Sequence, residues 1–423
     1  MRKIFGIIIA AAWLSGCSTV AGGGQSPIIT PAPGPDPVIT APQPVPQPQP
    51  QPVPQPQPIP QPVPQPLPPV QTPVPDSSGP TETPPSPLAV LPGWSTGDMR
   101  GALAATRKAC AAWSERDGAA PLDSGKPYYG TIADWDNACF AADYAADDKV
   151  SARRFFEQYF LPYSYAAPAG QKTLLTGYYE PQISVRAQRD AIYSEPILEK
   201  PLSEAKQNLP RARINATTAP VIAYGKPIDV FFMQVQGSGR IAFADGRSMR
   251  AAYAAHNDKP YKSIGAELVR RGEMTLEQAS KQSIEDWMAR SGPAKTKALM
   301  NANPRYIFFK TEIAQAGEGP KGAMGVPLVP MATIAVDNAY HPYGSLIWME
   351  TTLPQYPGDY KGAPAAMLVS AQDTGSAIKG PVRGDLFFGT GETAGNLAGV
   401  MKHPVKFTLL LPAALAMRYL PVS

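Results

Sequence analysis

The sequence predicts a mainly β protein of two β-rich units with helices at their edges. Three observations carry this. Strand-like stretches rich in aromatic and aliphatic residues, "LLTGYYEPQISVRA" and "VIAYGKPIDVFFMQVQGSGRIAFADG", are cut by glycines. After "NPRYIFFK" further short strands are expected at 332–336, 345–351, 366–370 and 406–411. Helical periodicity is confined to a few segments between and before them.

The N-terminal segments do not belong to either unit. Met1-Arg2-Lys3 is basic and precedes an apolar run from Ile4 to Leu14, too short to span a bilayer and shaped like a secretory signal. Leu14-Ser15-Gly16-Cys17 resembles the bacterial lipobox, so residues 1–16 read as a lipoprotein signal and Cys17 as the lipidated residue. Ser18, in place of Asp, points to the outer membrane. Residues 17–93 read as a lipid-anchored tether. More than half of the 51 prolines fall between Pro27 and Pro92. Alternating proline fixes φ and removes N–H donors, favouring polyproline II over helix or sheet. Such a segment reaches roughly 200 Å when extended. A PxxP ligand for SH3-type partners is the alternative reading.

The globular part runs from about Trp94, long enough for two domains. Asp98–Glu115 is predicted helical, with Met99, Leu103, Cys110 and Trp113 on one face. A second helix is expected over Val150–Phe160, stopping before Pro162. Phe231–Gln236 and Arg240–Phe243, around Gly237-Ser238-Gly239, read as a hairpin. Thr275 and Gln278 have capping-box spacing, opening a helix that runs to Arg290 and stops at Gly292-Pro293. Once Cys17 is set aside, Cys110 and Cys139 form an even pair in an oxidising compartment. A bridge is expected; two buried free thiols are the alternative.

Net charge is +4 and the basic residues are scattered, so there is no nucleic-acid footprint. The three histidines, His256, His341 and His403, lack metal-site spacing. Ser376-Ala377-Ile378-Lys379 matches S-x-x-K, but no K-T-G accompanies it, and Gly375 and Gly380-Pro381 flank it where a helix should start. No G-x-S-x-G occurs, and neither Cys110 nor Cys139 has a histidine nearby. Carboxylates remain. In "AQDTGSAIKGPVRGDLFFGTG", Asp373 and Asp385 stand on what read as neighbouring turns, a pair able to serve acid-assisted glycosidic cleavage. Each alone is also explained as an ordinary turn aspartate. Glu180 is a competing acid, expected in solvent or a local salt link.

"TGYYEP", "VQGSG", "YKSIG", "NPRYIFFK", "GVPLVP" and "DTGSAIKGPVRGDLFFGTG" occur in this order. The set resembles the membrane-bound lytic murein transglycosylase A family, whose C-terminal region is called 3D after its aspartates. The resemblance implies a double-psi β-barrel built from 94–180 and 311–423, with a second β-barrel domain inserted over 181–310. It implies a groove between them that binds peptidoglycan glycan strands. It places the acid at Asp385, with Asp373 supporting it, and sets Thr176, Tyr178, Gln236, Gly237 and Ser238 along the groove. It implies non-hydrolytic cleavage to a 1,6-anhydromuramic end, which needs no metal or cofactor. Asp385 must then have a raised pKa, helped by Leu386, Phe387, Phe388 and any charge on Asp373, with Lys379 pointing elsewhere. Tyr178 can stack on sugars, whereas Phe231 and Phe232 suit a core. A lipid-anchored monomer facing the periplasm is expected, with outer-membrane lipid and other cell-wall enzymes as partners. The rival functions are a two-aspartate hydrolase and a non-catalytic murein-binding lipoprotein.

Overall fold

The computed structural model describes residues 86–164, 173–276, 278–315 and 317–419. The signal, Cys17 and nearly all of the tether lie outside the described residues. The tether nevertheless ends earlier than the sequence suggests. Pro87–Val90 is a 3₁₀ turn whose Leu88 is fully buried in the main core, so packing starts before Trp94. A single buried leucine is enough to end a solvated proline tract, because burying it removes a whole apolar side chain from water.

Fourteen strands follow in chain order: β1 (Phe160–Ser164), β2 (Leu174–Glu180), β3 (Gln182–Arg186), β4 (Glu195–Leu198), β5 (Val221–Gly225), β6 (Gly239–Phe243), β7 (Ser248–His256), β8 (Ile307–Glu312), β9 (Thr333–Val336), β10 (Leu346–Leu353), β11 (Ala363–Asp373), β12 (Arg383–Thr390), β13 (Lys402–His403) and β14 (Lys406–Pro412). They form two sheets. The first runs β1-β14-β10-β11-β9-β12-β2-β13 and the second β4-β5-β3-β6-β7-β8. The strands of the first sheet thus come from both ends of the described chain, and those of the second from the stretch between. The first sheet curls nearly closed and mixes antiparallel pairs with two parallel ones, β9–β11 and β2–β12. Pro162 sits within β1, an edge strand, where its missing N–H costs no ladder bond between two partners.

The helices Arg100–Ser114, Asp136–Tyr144 and Lys149–Tyr159 pack on the first sheet, burying Leu103, Trp113, Phe155 and Phe156 with Trp348 and Leu409. Cys110 and Cys139 are joined by a disulfide with Cα atoms 5.4 Å apart, tying the first helix to the second. The last helix of this layer is capped by Asp148, which accepts from the N–H groups of Val150 and Ser151.

Two segments depart from the sequence reading. The expected hairpin at 231–243 is a helix, Pro227–Gln236, followed by β6. Pro227 occupies its first turn, and Gly237, at φ 89°, ends it in the left-handed conformation. Val230, Phe231, Phe232, Met233 and Gln234 are all buried, the first and fourth against the second sheet and the phenylalanines against the helices behind it. Five consecutive buried residues cover every side of the middle of the helix, so neither period shows in its sequence. Thr275 and Gln278 do exchange reciprocal hydrogen bonds at 3.3 Å, yet the helix starts later, at Lys281, capped by Ser280. It breaks at Gly292, where φ is 79°, as Gly292-Pro293 implies, and resumes from Pro293 to Ala302.

Candidate active site

The site is built on the middle of the first sheet. β12 alternates strictly: Gly384, Leu386 and Phe388 face the core, while Asp385 and Phe387 face the other way. Gly384 is required by close approach, since a Cβ there would lie 2.4 Å from Ile334 Cδ1. Strand register then sets one row of side chains on the outer face. Asp373 pairs with Ala335, Ala335 with Asp385, and Asp385 with Thr176. The two aspartates therefore lie on strands rather than on the turns expected, separated by the single strand β9. Two interstrand spacings put their Cα atoms about 10 Å apart.

Their surroundings differ. Asp385 Oδ1 accepts from Thr176 Oγ1 at 2.5 Å, and Thr176 in turn accepts from Arg383 Nη2 at 2.9 Å. Among the described residues, Asp385 Oδ2 accepts no hydrogen bond. Asp373 is saturated: Oδ1 accepts from the N–H groups of Ala323 and Thr374, both at 2.9 Å, and Oδ2 from the Tyr178 hydroxyl at 2.9 Å. Both carboxylates keep a partly open face but are walled by protein on the others. Burial pushes Asp385 up to about 6; Thr176 and Arg383 oppose the shift and the charge of Asp373 adds to it. Burial also raises Asp373, against its three donors. Tyr178, half-buried beside Asp373, is held well above the usual phenol range by desolvation and by the Asp373 charge, and stays a donor.

A cleft of about 620 Å³ opens against this row. Its lining includes Tyr178 and Asp373 from the first sheet, Tyr253 from the second, and Gln236, Gly237 and Ser238 from the segment before β6. Asp385 is set beside the cavity rather than in its wall. Its partner Thr176 lies two residues from Tyr178, and Phe387, two residues from Asp385, carries the Tyr178 ring at 5.3 Å between centroids. Gln236 Oε1 accepts from the Tyr179 N–H at 3.1 Å, which ties the end of its helix to β2. A larger cavity of about 960 Å³ is lined by Tyr179, Phe232 and Glu285 and holds none of these groups. Among the described residues no three His, Cys, Asp or Glu side chains gather as metal ligands.

Some placements correct the sequence reading and others extend it. Glu180 is neither solvated nor in a local link. It is fully buried, with Arg250 Nε at 2.6 Å, Arg240 Nε at 2.9 Å and the Thr390 hydroxyl at 2.8 Å. Lys379 turns to Asp337, at 3.4 Å. Arg383 was missed, although it stands two residues before Asp385 and a strand puts such residues on one face. Burial raises the Tyr261 phenol, against its hydrogen bond with Ser263, and the Asp385 charge adds to the rise.

Residues 174–310 match the family model described as the MltA specific insert domain, and 332–411 match the 3D domain. The lytic transglycosylase LtgG of Burkholderia pseudomallei is 38% identical, over 78% of this chain and 95% of that one, with a TM-score of 0.55. Escherichia coli MltA, solved with bound chitohexaose, is 30% identical over 75% of this chain and 91% of that one, with a TM-score of 0.61. The chain belongs to the membrane-bound lytic murein transglycosylase A family. The curated family member of Vibrio cholerae is 37% identical over 237 residues, which make up 54% of this chain and 63% of that protein. The alignment thus spans less than two thirds of the curated relative's length. Within the family frame the first sheet is the double-psi β-barrel and the second the inserted β-domain.

Proposed function

We propose that this chain cleaves the β-1,4 bond between N-acetylmuramic acid and N-acetylglucosamine in peptidoglycan without water, leaving a 1,6-anhydromuramic end. The observation that carries this is the Asp385 carboxyl, raised to about 6 and held through one oxygen only. A carboxyl of that value is half protonated at about pH 6 and keeps about one tenth of its protons at pH 7, far more than an ordinary aspartate, and it has a free oxygen to present. It donates its proton to the leaving 4-oxygen. The resulting carboxylate then takes the proton of the muramic 6-hydroxyl as that oxygen closes on the anomeric carbon. The nucleophile is internal and of high effective molarity, so no second carboxylate is needed to activate water.

Asp373 supports this single-acid reading. Its oxygens are occupied by two N–H groups and a phenol, which suits it to fixing Tyr178 and the 323 loop rather than to accepting a proton. Thr176, Tyr178, Gln236, Gly237 and Ser238 are assigned to glycan binding. The similarity to MltA solved with chitohexaose supports a glycan in the cleft. A catalytic domain of 87–180 with 311–423 and an inserted domain of 181–310 are part of the same proposal, as is anchorage through lipidated Cys17 in the outer membrane, facing the periplasm. Among the described residues no helix is long and apolar enough to cross a membrane.

The test is digestion of sacculi by the wild-type chain and by Asp385→Asn, with product masses read. Anhydro ends, lighter by one water than reducing ends, are expected from the first and none from the second. Reducing ends from the wild type would establish a hydrolase instead. Anhydro ends at undiminished rate from Asp385→Asn would remove Asp385 from the chemistry.

A further inference from the structure

Tyr253 on β7 is a large aromatic side chain left in the open beside the cleft. The residue is 46% exposed and lines the cavity that holds Tyr178 and Asp373. It pairs with Phe309 of β8 in regular register, and the extra residue that β7 carries relative to β8 follows it, between Tyr253 and Ala255. Such a bulge bends the strand just beyond the ring.

The ring is also held. The Tyr253 hydroxyl lies 2.6 Å from His256 Nδ1, and His256 Nε2 lies 3.2 Å from Asp258 Oδ1. With Nε2–H donated to Asp258, the neutral imidazole offers Nδ1 as acceptor, so the phenol donates to it. The turn that presents these groups is built on Asn257. Fully buried, it donates to Leu209 O and Pro304 O and accepts from the Tyr306 N–H, all at 2.8 Å. Asp258 follows at φ 50°, a left-handed conformation uncommon for a residue with a side chain. Exposed pairs of this kind contribute little to stability. Their consistent effect is to fix one ring over one cavity. Arg305, whose Nη1 donates to Lys259 O, and Lys310, paired with Glu312, bring donors to the same wall.

We propose that Tyr253 is a stacking platform for one sugar ring of the bound strand, with His256 and Asp258 as its positioning residues; this rests on the glycan reading of the cleft given above. A pyranose linked β-1,4 presents a flat C–H face with hydroxyl and acetamido groups at its rim. A half-exposed ring fringed by cationic donors matches both features.

The probe is chitohexaose, titrated calorimetrically into the Asp385→Asn chain, so that binding is read apart from chemistry. Tyr253→Ala is expected to weaken it about tenfold, and His256→Ala about threefold. Tyr253→Leu, which keeps apolar bulk without a ring face, is expected to match the alanine variant and covers the case in which that variant does not fold. In the Asp385 chain, Tyr253→Ala should raise KM on sacculi and leave kcat near its parent value. Unchanged affinity in a folded Tyr253→Ala or Tyr253→Leu chain overturns the proposal, and so does a parent chain that does not bind chitohexaose. If sacculi yield no anhydro ends yet these variants still lose affinity, the transglycosylase chemistry fails and the platform stands. If anhydro ends form while the variants bind undiminished, the platform alone fails.

Discussion

Asp385 is a carboxyl kept at a cost to the fold. Its value of about 6 against an ordinary 3.8 means that the folded chain holds the proton more tightly than the unfolded one. The favourable contribution is therefore full below about pH 4 and is lost as pH rises through about 6. The gap corresponds to at most roughly 3 kcal/mol. Asp385→Asn, which removes the charge, should accordingly raise stability at pH 7.5 by up to that amount and give almost no gain at pH 4; urea melts at the two values check this. For activity the same sign applies. The acid must enter the reaction protonated, so kcat/KM should fall as pH rises through about 6. Thr176→Val removes the hydrogen bond that holds Asp385 down, so the alkaline limb of that pH profile should move upward. An unmoved limb would mean that Thr176 does not tune the carboxyl.

Strands do the positioning. β9 lies between β11 and β12, and its Ala335 is the one residue in register with both aspartates. Packing beneath that row leaves no slack. Gly384→Ala drives a methyl group into Ile334 and Leu175 and should destabilise the chain by about 1–3 kcal/mol while lowering activity through the shifted Asp385. At the end of β2, Glu180 fastens the two sheets together. Arg240 on β6 and Arg250 on β7 reach its oxygens, and both guanidinium groups also donate to Glu318 O. Glu180→Gln leaves these cations half-compensated in a buried site, and a loss of about 3–5 kcal/mol by denaturant titration is expected. A loss below 1 kcal/mol would show that water takes the carboxylate's place.

At the scale of the whole chain, one sheet draws its strands from both ends of the described sequence and encloses the topology of the other. Such long-range pairing carries a large closure entropy, and the disulfide offsets part of it. Cys110 and Cys139 are separated by 29 residues, a loop whose closure is worth about 3–4 kcal/mol. Denaturation with and without reductant should differ by about that amount, with the cleft intact in the reduced chain at low denaturant, because neither cysteine lies in it. Loss of chitohexaose binding on reduction alone would show instead that the helical layer supports the cleft directly.

By itself the sequence determined the β-rich class, four of the six strands from Thr333 onward and the break at Gly292-Pro293, and it singled out Asp373 and Asp385 as the acids proposed. Each of these rests on local signals: alternation, glycine and proline, or a motif read in one stretch. Tertiary structure alone decided that Phe231 lies on a helix, that Glu180 is buried, that Asp385 lies on a strand, and that Arg383 reaches it through Thr176. A segment buried on every side has no polar face to reveal its period. Glu180 meets arginines 60 and 70 residues away, and Asp385 meets its threonine across 209. Contacts at that separation are set by strand register, which follows from burying the right faces of many strands at once and leaves no mark on any single stretch of chain.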